Sequence, residues 1–357
     1  MLSLLRVRLF GYVVVEACAV GALATSGIAV ARWLTHSAPA QAEKAQMSRG
    51  GSGPAIRPAR EVVEALPPRP APSFFGLDDE AVLRSLRSEP VVRVKFNRGG
   101  STISLRLTFG DGSQAAFKPA QTHQFSNPRK EVVAYRLSRF LGINQVAPAA
   151  PRVLTRDDIV KHLEPGSWSV LPRILAETRF DAQGRTAGMA QYWIPKIKDS
   201  NLDSPAMVAA WTGWLAPEKS PPEPKRAMAA QLSNLVVFDL LMNQRDRFSG
   251  GNMKVSEDDR VLYYMDNTAA LFSPQSGHPR LRTLLAKIGL FSARTIENLR
   301  GLSEASLRAE LAAEPEQPYE LVTPEELAGI LARKDAILAH VDALVARHGK
   351  AAVLAFP

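Results

Sequence analysis

Cysteine is almost absent: Cys18 is the only one in 357 residues. An intramolecular disulfide and a cysteine-based metal centre are therefore excluded. Histidine is scarce too, and the six present show no metal-ligand spacing. Neither HExxH nor GxSxG occurs, so zinc-protease and serine-hydrolase chemistry have no residues to carry them. Finger-type Cys/His spacing, an RNP-type motif and dense Lys/Arg blocks with interleaved aromatics are missing as well. No nucleic-acid partner is expected. No internal repeat is found, which argues against a solenoid.

What the chain does have is 46% hydrophobic and 22% charged residues. That supports one large or two modest cores and argues against general disorder. The net charge of +9 and a pI near 9.8 favour anionic partners, nucleotides and anionic lipid among them.

One apolar run stands apart, LFGYVVVEACAVGALATSGIAVA at residues 9–31. Arg6 and Arg8 precede it in the basic flank 1–8, and Arg32 closes it. At helical rise it covers about 35 Å, enough to span a bilayer core. Glu16 lies within it, at a cost of a few kcal/mol unless protonated, paired or near the interface. We expect a single-pass membrane anchor here, with a cleaved signal and a buried helix as competing readings. Basic residues flank both ends, so orientation stays open. Residues 32–73, with SRGGSGPAIRPAR and LPPRPAPS, read as a linker partly extended by its prolines.

Folded structure is expected from residue 74. Residues 74–88 suggest a short helix with Leu77, Val82, Leu83 and Leu86 apolar. VVRVKF (91–96), TISLRLTF (102–109) and QAAFKP (114–119) alternate as strands, separated by the glycine turns NRGGS and GDGS. This pattern predicts an antiparallel meander. Asn127 and Pro128 predict a helix opening, with an N-cap residue and a proline at N1. The helix RKEVVAYRLSRFL then stops at Gly142. NQVAPAAPRVL, SWSVLPRIL and TAGMAQYWI are strand-like. Strand, glycine turn, strand, strand with a terminal Lys118, then a helix with an early Glu131 is the layout of a kinase-like small lobe. There Gly99 and Gly100 would let backbone approach phosphates, and Lys118 would grip them while Glu131 orients it.

The second half supplies the other candidates. MAAQLSNLVVFDLLM is apolar on most sides, as in a buried helix. The loop QRDRFSGG carries Asp246. Asn252 opens NMKVS, and VLYYMDN ends at Asp266, twenty residues after Asp246. In a kinase the loop Asp orients or deprotonates the attacking hydroxyl, while the Asn and second Asp hold metal on the phosphates. Mg²⁺ or Mn²⁺ suits such hard oxygen donors. Each residue also has an ordinary explanation. Lys118 could cover apolar surface with its stem, and Glu131 could answer the helix dipole. Asp246 could pair with Arg245 or Arg247, Asp266 could cap the turn at Asn267, and Asn252 could simply start a strand. The ordered set of five argues against five coincidences.

At these residues the sequence resembles the atypical secretory-pathway kinases, including Golgi casein kinase and four-jointed. AAFKP, KEVVAYRLSRFLGINQVAP, FDLLMNQRDRF and YYMDNTAALF are similar to the family's lysine strand, helix, "FD.L..N.DR" loop and "LDN" metal segment. The HipA and phosphatidylinositol kinases share a similar loop. The resemblance implies an α+β, two-lobed kinase-like fold, with a small lobe over 74–195 and a mainly helical lobe over 196–357. It implies Lys118 on phosphate, Glu131 near Lys118 or metal, Asp246 as the catalytic base and Asp266 on metal. ATP with Mg²⁺ or Mn²⁺ would be the cofactors, and a protein or glycan hydroxyl the acceptor. Asn252 departs from the pattern, lying six residues after Asp246, one more than usual. A pseudokinase binding module and a nucleotidyl transferase are the alternatives on the same fold. Finally, Thr323-Pro-Glu-Glu326 is a capping box that should open a helix running to His348 and ended by Gly349.

Overall fold

Apolar alternation builds a five-stranded antiparallel sheet, ordered β1-β2-β3-β5-β4. Its strands are β1 (Val91–Phe96), β2 (Leu105–Phe109), β3 (Gln114–Pro119), β4 (Ala149–Thr155) and β5 (Arg185–Tyr192). Val94, Phe96, Leu105, Leu107, Phe109, Ala115 and Phe117 share its buried face, each larger side chain contributing about 1.5–3 kcal/mol. The computed structural model describes Phe74, residues 76–315 and residues 317–357. The expected anchor 9–31 and linker 32–73 lie outside the described residues. No helix among the described residues is long and apolar enough to cross a membrane.

Helix α1 (Asp79–Ser88) begins later than residue 74, because the Asp78 side chain caps the backbone N–H groups of Glu80 and Ala81. Phe74 and Leu77 instead pack in a separate cluster with Ala147, Ile194 and Tyr263. Residues 102–104 stay out of β2. Helix α2 (Arg129–Phe140) has Pro128 at its N-cap and no side-chain cap. Asn127 therefore does not cap it as expected; its carbonyl accepts from Lys130 N–H. The other end follows the sequence, with Gly142 left-handed at φ 70°.

SWSVLPRIL is helical rather than a strand. After α3 (Arg156–His162), a 3₁₀ turn (Pro165–Val170) runs into α4 (Leu171–Glu177). Prolines stand in the first turn of each piece, where a missing N–H costs nothing and φ is already helical. A mostly apolar run of nine cannot be told from a strand by composition alone. This insert covers the β1 edge, Glu164 N–H donating to Val94 O at 2.9 Å. Helix α1 covers the β4 edge, where Arg152 donates to the carbonyls of Leu86 and Glu89 at 3.0 and 2.6 Å. Neither edge is left open to pair with another chain.

The connection 193–196 leads into the larger, mainly helical lobe. Its small sheet is β6-β7-β8, formed by β6 (Ile197–Asp199), β7 (Met253–Ser256) and β8 (Leu262–Tyr264). Helix α5 (Pro205–Trp214) precedes α6 (Arg226–Met242), whose second half is buried on every side from Leu235 to Met242. Around it lie α7 (Pro279–Lys287), α8 (Ala293–Arg300), α9 (Glu304–Ala312), α10 (Pro324–His348) and α11 (Lys350–Val353). The capping box at Thr323 and Glu326 forms. Leu327, Ile330, Ile337 and Val341 of α10 are buried, so its apolar face joins the core.

Candidate active site

Four segments converge between the lobes: the end of β3, the first turn of α2, the loop after α6 and the residues after β8. Lys118 faces the cleft from β3. Its Nζ lies 3.0 Å from Glu131 Oε1 and 2.6 Å from Asp266 Oδ1. Glu131 is fully buried, and its other oxygen accepts from Asn267 Nδ2 at 3.0 Å. Burial alone would lower the Lys118 pKa, but the charges of Asp266 and Glu131 outweigh it and raise it above the ordinary lysine value. For Asp266 burial pulls upward, and the Lys118 ammonium wins, holding the carboxyl below the usual range. Both groups are therefore charged at neutral pH.

Asp266 also takes an unusual backbone. Its φ is 52°, a region that costs a non-glycine residue about 1 kcal/mol or more. The Thr268 hydroxyl donates to Oδ1 at 2.7 Å, and Gln244 Nε2 donates to the Asp266 carbonyl at 2.7 Å. Gln244 Oε1 in turn accepts from Asp246 N–H at 3.0 Å. One buried amide thus ties the two candidate aspartates together. Asn252 donates its amide to the Asp246 carbonyl and to Oδ2, at 2.9 and 3.1 Å, so its Oδ1 is the atom left for a cation. It does not begin a strand, since β7 opens at Met253.

Asp246 does not pair with its arginine neighbours. Arg247 turns inward and is wholly buried against Asp239, Nη2 to Oδ1 at 3.1 Å. It also donates to Asn252 O at 2.9 Å, to Asn267 Oδ1 at 2.7 Å and to Met265 O. Burial pushes the Asp239 carboxyl up to about 6 even against the Arg247 charge. This Asp239–Arg247–Asn267 network fixes the residues beside Asn252 and Asp266, and none of its members is one of the reactive residues in the kinase pattern. In the sequence only the residue pairs Phe238-Asp239 and Asp266-Asn267 mark it, without showing that they meet. Arg245 lies over the rings of Phe125 and Phe272, at 5.8 and 5.9 Å.

The cleft has two connected halves. One, of about 540 Å³, is lined by Gly99, Gly100, Asp246, Asn252, Asp266 and Thr268. The other, of about 450 Å³, is lined by Ala116, Lys118, Gln191, Trp193, Met265 and Asp266 among others. Behind Lys118 the strands approach very closely. A Cβ on Gly188 would lie 2.5 Å from Lys118 O and 2.7 Å from the Phe117 ring, so only glycine fits opposite the lysine strand. All seven sequence-predicted residues, Gly99, Gly100, Lys118, Glu131, Asp246, Asn252 and Asp266, line this cleft or bond to a residue that does.

No family model matches the sequence. Solved structures do. The crystal structure of the Golgi casein kinase with Mn/ADP bound matches 77% of this chain over 78% of its own, with TM-score 0.61 and 18% identity. This is the Golgi casein kinase fold. A second crystal structure of that kinase gives TM-score 0.60 at 17% identity, over 77% of this chain and 79% of its own. The structure of hydra Fam20 with sugar gives 0.57 at 13%, over 76% of this chain and 90% of its own. Identity this low establishes shared topology, the two lobes and the cleft between them; function has to be argued from the residues in the cleft.

Proposed function

We propose that the chain is an ATP-dependent kinase that transfers the γ-phosphoryl group to a hydroxyl of a protein Ser/Thr or a sugar. The observation that carries this reading is the single cleft joining Lys118, Glu131, Asp246 and Asp266. The donor set fits a divalent metal held together with a nucleotide. No three His, Cys, Asp or Glu side chains among the described residues group to hold a metal alone. Asp266, and Asn252 through Oδ1, supply hard oxygens, and phosphates and water would complete the shell, as suits Mg²⁺ or Mn²⁺. The likeness to a Golgi casein kinase structure holding Mn/ADP supports the same choice. The metal, when bound, would neutralise charge on the phosphates.

The chain's own residues divide the remaining work. Lys118, oriented by Glu131, binds phosphate oxygens. Gly99 and Gly100 bring backbone over them. Ala116 and Met265 line the half that takes the base. Asp246 accepts the proton of the attacking hydroxyl as its oxygen bonds to the γ-phosphorus and the bond to ADP breaks. The lining is strongly oriented before any ligand arrives, and positioning of this kind is most of what phosphoryl transfer asks of a protein. Residues 9–31 would hold the domain at a membrane as a single-pass anchor.

Thermal unfolding of the full chain with ATP, with and without Mn²⁺, tests the reading beside Asp266→Ala. We expect a metal-dependent rise of several degrees that the variant lacks. No rise under any condition in the wild type sinks it. Asp246→Asn should keep the rise and lose transfer by at least about a hundredfold, the low end of general-base contributions. The Lys118–Asp266 contact also fits a module that binds nucleotide without turnover, and a nucleotide-induced rise with no transfer to any hydroxyl would favour that reading. Transfer of label from the α-phosphate of ATP, rather than the γ, would instead mark a nucleotidyl transferase.

A further inference from the structure

The glycine turn is the weakest of the motifs, two glycines without GxGxxG spacing, and its own bonds close only its base, where Asn97 N–H donates to Ser104 O at 2.9 Å and Asn97 Nδ2 to Ser104 Oγ at 3.0 Å. A Cβ at Gly99 or Gly100 would meet no atom within 4 Å. Beyond that base, the turn is held from outside, by the insert over 156–177. At its entry, Phe96 N–H donates to Ser167 Oγ at 3.0 Å, and Arg98 Nη2 to Gly166 O at 3.1 Å. At its exit, Arg173 Nη2 donates to Ser101 O at 2.7 Å. Just beyond, Gln121 bonds both backbone groups of Ile103, accepting at 2.8 Å and donating at 3.0 Å.

Arg173 is itself fixed. Glu177, one helical turn on, accepts from its Nε and Nη2 at 2.8 and 3.3 Å, and the guanidinium lies 5.8 Å from the Phe96 ring centroid. The end of α4 is in turn fastened to the segment that follows Lys118. Thr122 N–H donates to Glu177 O at 2.9 Å, and Arg179 N–H to Ala120 O at 2.8 Å. The helix that carries Arg173 is thus anchored to the strand that carries the phosphate-binding lysine. It fixes the distance between that lysine and the glycine turn.

We propose that Arg173 is a positioning residue. It presets the Gly99–Gly100 turn over the phosphates of a bound nucleoside triphosphate, and so sets nucleotide affinity from outside the cleft. The inference rests on the nucleotide reading of the cleft. A turn already held in place loses less freedom when the ligand arrives, so its props act on affinity rather than on the chemical step.

Two measurements on the full chain separate this inference from the reading beneath it: amide hydrogen exchange of residues 97–104 without ligand, and Mn²⁺-dependent titration with a fluorescent ADP analogue. In Arg173→Ala we expect exchange in the turn to rise about tenfold, with β3 unchanged, as a charge-assisted bond is lost. Nucleotide affinity should fall about five- to tenfold, and KM for ATP should rise alike while kcat stays within about twofold. Arg173→Lys, which keeps the charge and one donor nitrogen but not the fork, should recover part of both. Unchanged exchange overturns the proposal. So does faster exchange with unchanged affinity, which leaves the kinase reading standing. A wild type that binds no nucleotide, whatever its exchange, overturns the kinase reading and the affinity role with it.

Discussion

Two regions of the molecule bury charge in opposite ways. Around the candidate site every buried charge has a partner of opposite sign: Lys118 with Glu131 and Asp266, Arg247 with Asp239. Around α10, two cations are buried without one. Lys130 is 2% exposed, and its ammonium has no hydrogen-bond or ion-pair partner among the described residues; it sits 3.3 Å from the centroid of the Phe272 ring. Arg333, 1% exposed, donates to the carbonyls of Leu241 and Gln275 at 3.0 and 2.8 Å and leaves Nη2 unbonded. The nearby acid Glu326 is already taken by Arg129 in a two-pronged pair.

The pKa directions follow that contrast. Lys118 is raised by its carboxylates, whereas burial lowers Lys130 to about 8 and Arg333 to about 10. Pairing is what separates a lysine locked in its charged form from one held near neutrality. The difference teaches where charge is kept for use and where it is only tolerated.

The largest break in this comparison is on the paired side. Asp239→Ala strands Arg247 in the core and should cost about 3–5 kcal/mol, read as a lower urea midpoint. Glu131→Gln keeps the shape but removes a charge from Lys118, and should cost about 2 kcal/mol along with weaker nucleotide binding. The smallest effect has the opposite sign. Lys130→Met removes an uncompensated ammonium and should stabilise the fold by roughly 1 kcal/mol at pH 7, after loss of the contact with Phe272.

The pH dependence sharpens this last test. Between about 8 and the ordinary 10.5, folded Lys130 has released its proton while the unfolded chain still binds one. Wild-type stability from this group therefore rises with pH across that window, and the gap to Lys130→Met should close by pH 10. A constant gap in denaturant midpoints from pH 7 to 10 would remove Lys130 as the cause.

Much of the fold was legible because its signals are local. Alternation placed β1, β3 and β5, Gly142 and Gly349 stopped two helices, and Thr323 with Glu326 opened the second of them. The insert over 165–177 was misread because proline-led turns and a short apolar run look alike in either state. Lys118, Glu131, Asp246 and Asp266 could be named since reactive residue types in a fixed order form a pattern. Asp239, Arg247 and Gln244 are different. Asp239 holds the Arg247 guanidinium, while Arg247 and Gln244 hold backbone carbonyls and an N–H that lie next to the reactive residues only once the chain has folded, and a linear sequence does not display those partners. Gly188 escaped for the same reason, its need arising from the strand beside it.

The stretch between α9 and α10, together with the first turn of α10, crosses back to the small lobe and grips it at three places. Glu314 holds Arg87 and Arg136, Tyr319 donates its hydroxyl to Gly188 O at 2.8 Å, and Glu326 takes Arg129. Two bodies joined at one connection can swing like covers on a spine. Joined also along the opposite margin, they lose that swing and keep mainly small shears and twists. Exchange of bound ligand in such a molecule would depend on side chains and loops at the mouth of the cleft stepping aside, with the lobes themselves staying nearly still.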